Sequence, residues 1–319
     1  MRVASNAIWI IRAVLLAAAL PICASSAEPA QPIVESWAPP PISSAQFESH
    51  PAFDPWNGDF YFVRSSPEFK GWRILVSRCT SSGWSEPVSP SFAGDGVEAD
   101  PFFFDEGRSL YFISTRSTDG IQRQDLDIWR VDRTREGGWQ KPVRLPEPIN
   151  STGQEWFPRP APDGWLYFGS DRSGGFGRTD IWRAQPVPVS RGIPSAALPE
   201  SHSLPVKKGQ AVKWHVVNAG AAFNTAADEY ELLPSADGQS MILMAGDGLY
   251  QSRSSGHGWW SAREKLPPGI NVNGSEIGAL FSPSGKSLLF ARDTKAPLSG
   301  ELFVWRREGT ERWPPPCPN

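Results

Sequence analysis

The chain has 319 residues and a formal net charge of -3. It carries no basic run, which excludes the electrostatic footprint of a nucleic-acid binder. Gly 29, Pro 32 and Trp 15 are high and long helix-forming stretches are missing, a balance that suits many short strands joined by tight turns.

Arg2 and Arg12 precede the apolar run Ala13-Val14-Leu15-Leu16-Ala17-Ala18-Ala19-Leu20, and Ser25-Ser26-Ala27 offers small residues for a cut before Glu28. Residues 1–27 therefore read as a secretory signal peptide whose apolar part is too short for an anchor. Residues 28–319 are then expected to be a single exported domain, periplasmic or secreted, with no membrane span. Cys23 raises a lipoprotein alternative, which bulky Ile22 disfavours where the lipoprotein cut has a small residue. Cys79 and Cys317 remain, an even pair in an oxidising compartment. They read either as a disulfide or as two unpaired thiols, since spacing alone proves no geometry.

Five copies of one pattern follow along the chain: Glu48 to Phe62, Glu98 to Phe112, Glu155 to Phe168, Glu229 to Met244 and Glu276 to Phe290. Each has an acid, a first strand such as Pro101-Phe102-Phe103-Phe104, and a turn such as Asn57-Gly58 or Asp163-Gly164. A second strand such as Leu110-Tyr111-Phe112 comes next. Gly after Asp or Asn accepts positive φ, so each copy is expected to be a hairpin. A third strand follows (Ile74-Leu75-Val76, Asp127-Ile128-Trp129, Asp180-Ile181-Trp182, Gly248-Leu249-Tyr250, Leu302-Phe303-Val304-Trp305). A fourth starts at a Trp: Trp84, Trp139, Trp214, Trp259 or Trp260, and Trp313. Ile149-Asn150-Ser151, Phe223-Asn224-Thr225 and Ile270-Asn271-Val272 mark the connectors. Four antiparallel strands per copy predict the blades of an all-β propeller, stacked through Trp, Phe and Leu.

The strings EWFPRPAPDGWLYFGSDRSGGFGRTDIW and SEIGALFSPSGKSLLFARD resemble the WD40-like β-propeller repeats of TolB-type periplasmic proteins over roughly residues 36 to 315. The resemblance implies an envelope location and a propeller, and suggests a binding or scaffold role. Such propellers usually have six blades, whereas five copies are countable here. The Pro-rich segment 185–210 is read as an insertion between the third and fourth strands of blade three, giving five blades; the alternative is the remnant of a sixth. Either Trp37-Ala38-Pro39 or Trp313-Pro314 could supply the strand that closes the ring.

Across each Gly turn, Glu48 faces Arg64, Glu98 faces Arg116, Glu155 faces Arg172 and Glu276 faces Arg292, which predicts a structural ion pair in four blades. Blade four has no such Arg, while Asp228, Glu229, Glu231 and Asp247 crowd one end; a calcium site there is the weaker reading beside solvated acids. His50, Asp100, Arg159 and Glu231 stand where the copies differ, two or four residues past the acid, and are the candidate ligand or partner contacts. The loops Ser117 to Gln124 and Ser173 to Thr179 are expected on the same rim.

No catalytic set is recognisable. His50, His202, His215 and His257 lack metal-ligand spacing, and no nucleophile elbow is present. The Ser173-Gly174-Gly175-Phe176-Gly177 loop precedes a strand and not the helix a phosphate cradle needs. The sequence therefore reads as a non-enzymatic, cofactor-free monomer that binds an envelope protein, peptide or glycan. The alternative is a carbohydrate-active enzyme using Asp100 and Glu231 as channel carboxylates.

Overall fold

The computed structural model describes residues 33–118, 120–121, 123–188, 212–256, 258–295, 300–307 and 311–317. The proposed signal peptide, Cys23, His202, His257 and most of the segment 185–210 lie outside the described residues. Among the described residues no helix is long and apolar enough to cross a membrane.

Blade one contains Phe47–Phe53, Phe60–Ser65 and Arg73–Ser77, with Val88 bridged to Val76 at its outer edge. Blade two contains Glu98–Phe104, Ser109–Ser114, Asp127–Asp132 and Val143–Arg144. Blade three contains Glu155–Pro160, Leu166–Ser170, Asp180–Pro188 and Val212–Asn218. Blade four contains Glu229–Pro234, Ser240–Ala245 and Gly248–Gly256, edged by Trp259–Trp260 and Glu264–Lys265. Blade five contains Ile277–Phe281, Ser287–Asp293 and Gly300–Arg306. All pairings within the blades are antiparallel. The first strands touch in the order one to five and the fifth meets the first, so the ring closes on five blades.

The closing strand is Ile33–Ser36, just before Trp37, which pairs with Phe303 to Arg306. Trp313 begins no strand. It is buried in the seam between blades five and one, 5.9 Å from Phe53. Cys79 and Cys317 form a disulfide with Cα atoms 5.3 Å apart, tying blade one to the C-terminal segment.

The segment read as a strandless insertion from Gln185 starts later. The third strand of blade three runs to Pro188, paired with Val212 to Asn218. Its pairing with the second strand ends at Ala184. Residues 185–188 therefore have a partner on one side only, where Pro186 and Pro188, which lack an N–H, are tolerated.

The second strand of each blade carries the core. Phe60, Phe62, Phe112, Phe168 and Phe290 are fully buried, because a second strand lies between two neighbouring blades and both its faces are covered. That explains why LYF-type runs are apolar at consecutive positions where a half-exposed strand would alternate.

Every first strand carries a bulge just past its acid: Ser49 to Ala52, Ala99 to Phe102, Trp156 to Arg159, Glu229 to Glu231 and Ile277 to Leu280. Four bulges place a residue at positive φ, His50 (52°), Asp100 (58°), Phe157 (48°) and Gly278 (64°). A bulge re-aims side chains, and here His50, Asp100 and Phe157 meet one another from three blades.

Candidate functional site

The recurring acid, arginine and asparagine build an inter-blade clasp. Glu48 meets Arg64 directly across the hairpin at 2.7 Å, and Glu276 meets Arg292 at 3.1 Å. In blades two and three a serine stands opposite the acid. Arg116 and Arg172 fold back over Ser114 and Ser170 to reach Glu98 and Glu155. Each arginine lies 4.8–5.5 Å over a second-strand ring, Phe62, Phe112, Phe168 or Phe290, a cation–π contact in a desolvated site. Arg64, Arg172 and Arg292 also donate to connector carbonyls of Ile42, Pro148 and Ile270. The glutamates answer by accepting from Ser44, Ser151 and Val272 of the same connectors. Asn150, Asn224 and Asn271 hydrogen-bond both backbone groups of Ile128, Ile181 and Leu249 in the blade before. The repeat spells a hydrogen-bonded joint between consecutive blades.

Blade four departs from the sequence expectation. Glu229 does have a cation: Arg263 arrives from the outer edge at 2.7 Å. Asp228 pairs with Arg178, Asp247 with Lys265 at 2.7 Å, and Glu231 with Arg159 at 2.6 Å. With each acid partnered, the calcium reading falls. Among the described residues no group of three or more His, Cys, Asp or Glu stands close enough to hold a metal ion. Arg263 was invisible to hairpin arithmetic because it comes from the far side of its blade. The N–H groups of Phe176 and Gly177 in the glycine-rich loop bond Asp180, so that loop cradles its own carboxylate.

His50, Asp100, Arg159 and Glu231, from four different blades, come together in one buried network on the axis; none is more than 4 % exposed. His50 Nε2 lies 3.2 Å from Asp100 Oδ1. The Phe157 N–H donates to Asp100 Oδ2 at 2.7 Å. Arg159 donates through Nε and Nη2 to Glu231 Oε1, and the Ala279 N–H donates to Glu231 Oε2. Gly278 completes the circuit: a Cβ there would stand 2.8 Å from the His50 Cα, so glycine is required both by φ and by space.

Above this network lies a partly open cavity of about 210 Å³. Its floor is His50 and Asp100, and its walls include Phe69, Trp72, Trp156, Phe157 and Tyr230. Arg159 and Glu231 do not line it. Of the wall residues only Phe157 stood at a position the sequence pattern singled out. Trp156, Tyr230 and Ile277 follow the acid by one residue, and an unbroken strand would turn that position away from the residue after it. The bulge presents both consecutive residues to one side. Bulges leave no spacing signal in a single sequence.

Burial, reinforced by the charge of Arg159, pulls the His50 imidazole down to about 3. Burial pushes the Asp100 carboxyl up to about 7, against the pull of Arg159 and the Phe157 N–H. Glu231 is also raised by burial, against its pairing with Arg159. Near neutral pH the imidazole is therefore neutral, and Asp100 is the group that titrates. His50 Nδ1 lies 2.7 Å from Ser49 Oγ, so the imidazole has a hydroxyl on one side and the Asp100 carboxyl on the other.

No protein-family model and no curated protein matches this sequence. Solved structures are similar to it in shape. A protein described as TolB from Agrobacterium tumefaciens is 13 % identical with a TM-score of 0.45, over 78 % of this chain and 70 % of that one. A thermostable family-43 glycoside hydrolase is 12 % identical with a TM-score of 0.46, over 89 % and 99 %. A gluconolactonase from Xanthomonas campestris is 11 % identical with a TM-score of 0.44, over 86 % and 89 %. These are likenesses of fold. They correct one expectation: with enzymes among the proteins of this shape, the exclusion of catalysis drawn from the sequence does not stand.

Proposed function

We propose that this chain is an exported, TolB-like propeller that takes a compact ligand into the channel-mouth cavity, with Asp100–His50 as the proton-handling pair of that site. One observation carries the reading: five aromatic rings from three blades converge on a buried carboxylate–imidazole pair. Aromatic walls with a few convergent polar groups and a displaced pKa are the usual make-up of a small-molecule site. Export is supported by the N-terminal apolar run and by the Cys79–Cys317 bond, which persists in oxidising compartments. A protein or peptide partner would meet the loops around the mouth, where Ile121 and Phe176 are 68 % and 55 % exposed. A glycosidase-type pair of carboxylates is less well supported, because Glu231 lies beneath the cavity in its bond to Arg159.

The test is a thermal-shift panel of small sugars, lactones, amines and aromatic acids on the mature protein, repeated with Trp156→Ala and Tyr230→Ala. A ligand of this site stabilises the parent and loses at least about tenfold in affinity in both variants, which corresponds to roughly 1.4 kcal/mol. Shifts that survive both substitutions would move the site elsewhere.

A further inference from the structure

The geometry points to an organic cation, an alkylammonium or quaternary ammonium headgroup, as the ligand class of the channel-mouth cavity. This rests on the cavity being the binding site and adds what the site selects. The lining holds two tryptophans, a tyrosine and two phenylalanines, completed by Ala99, Ile113, Met244 and Ile277; the Phe157 ring already carries the Arg159 guanidinium at 5.3 Å. Ring faces attract a cation through their quadrupole, tryptophan best, and more strongly when water is excluded. Among the described residues that line the cavity, Asp100 is the one carboxylate and no arginine or lysine is present. Two of these rings, Trp156 and Tyr230, pack against each other edge to face at 5.9 Å.

The charges around Asp100 agree. From blade one it faces His50, which is neutral above about 3. From blade three comes Arg159, whose charge is matched by Glu231 of blade four. Tyr230 of blade four stands in the wall, and blade five presents Ile277 and Gly278, which carry no charge. A carboxyl held near 7 by burial lacks a close cation of its own. A bound ammonium group would supply one, lower the carboxyl pKa and release a proton. Affinity for a cation should therefore rise as pH passes upward through 7.

The experiment is calorimetric titration of the mature protein with choline and with its uncharged tert-butyl isostere, at pH 5 and pH 8. The expected result is that choline binds at least about tenfold more tightly than the isostere at pH 8, with the preference much reduced at pH 5. In Asp100→Asn the preference should fall to about threefold or less; in Trp156→Leu both affinities should drop while Asp100 remains. Equal binding of the two probes at pH 8 overturns the cationic assignment and leaves the cavity as an apolar site. Absence of binding by either probe at millimolar concentration overturns it as well. So does a charge preference that survives in a folded Asp100→Asn protein.

Discussion

The rim clasps and the axial network use the same ingredients, buried acids and arginines, yet they end differently. In the clasp of blade three, Glu155 accepts from Ser151, Ser170 and Arg172, and Arg172 reaches on to the Pro148 carbonyl. Every group has a partner within its own blade or the connector leading to it. On the axis, partners come from other blades, and the matching is unequal. Arg159 satisfies Glu231, while Asp100 is left with a neutral imidazole and one N–H. Repetition gives a closely similar Glu–Arg set four times, most nearly closed in blade three, although one oxygen each of Glu98 and Glu276 is buried without a hydrogen-bond donor. Where the copies differ, one acid remains under-matched beside a cavity, which is what a ligand needs.

The comparison breaks first at the clasp. Glu155→Ala leaves Arg172 buried without its counter-charge and frees Ser151, so the expected loss is about 3–5 kcal/mol in urea unfolding. A loss below about 1 kcal/mol would make the clasp incidental to blade joining. Replacing both Cys79 and Cys317 with Ser opens the link between blade one and the C-terminal segment. It should cost about 2–4 kcal/mol, seen as a lower melting temperature that reducing agent no longer changes. Gly278→Ala tests the axis. Its Cβ would meet the His50 backbone at positive φ, so a loss of about 1–3 kcal/mol is expected, together with weakened ligand binding. A clasp variant that destabilises equally should leave the ligand affinity of the folded protein unchanged.

How legible the molecule was follows the same division. Hairpins and turns could be read from the Gly turns, but the facing residue only where the spacing is 16. In blades two and three Ser114 and Ser170 stand opposite the acid, and Arg116 and Arg172 reach it by folding back. The five blades could be counted from the same turns. Arg263 on Glu229 could not be found that way, because it crosses a whole blade to arrive. Nor could the closing strand be placed, since Ile33–Ser36 has no sequence link to the edge it completes. His50, Asp100, Arg159 and Glu231 stood out as departures from the repeat, and the fold does gather them. Their neighbours Trp156 and Tyr230 did not, because only the bulge turns a residue one past the acid toward the mouth.

The smallest effect is also the most specific to the axis. Asp100 has a folded-state pKa raised from 3.8 to about 7, so the stability it contributes is full below about 3.8 and is lost as pH rises through about 7. His50 has the opposite displacement, from 6.5 down to about 3, so its contribution is full above 6.5 and is lost as pH falls through about 3. Between pH 4 and 6.5 the two slopes oppose, and the parent protein should show a nearly flat profile from this pair. Asp100→Asn removes one slope and keeps the recorded hydrogen bond, since the Asn oxygen can accept from the Phe157 N–H. The variant should gain on the parent by about 1 kcal/mol or more at pH 8 relative to pH 4, measured by urea unfolding at both values. A difference between the two proteins that is the same at pH 4 and pH 8 would mean that Asp100 is already ionised throughout. The axis would then be as closed a set as the clasps, with no under-matched acid for a ligand to find.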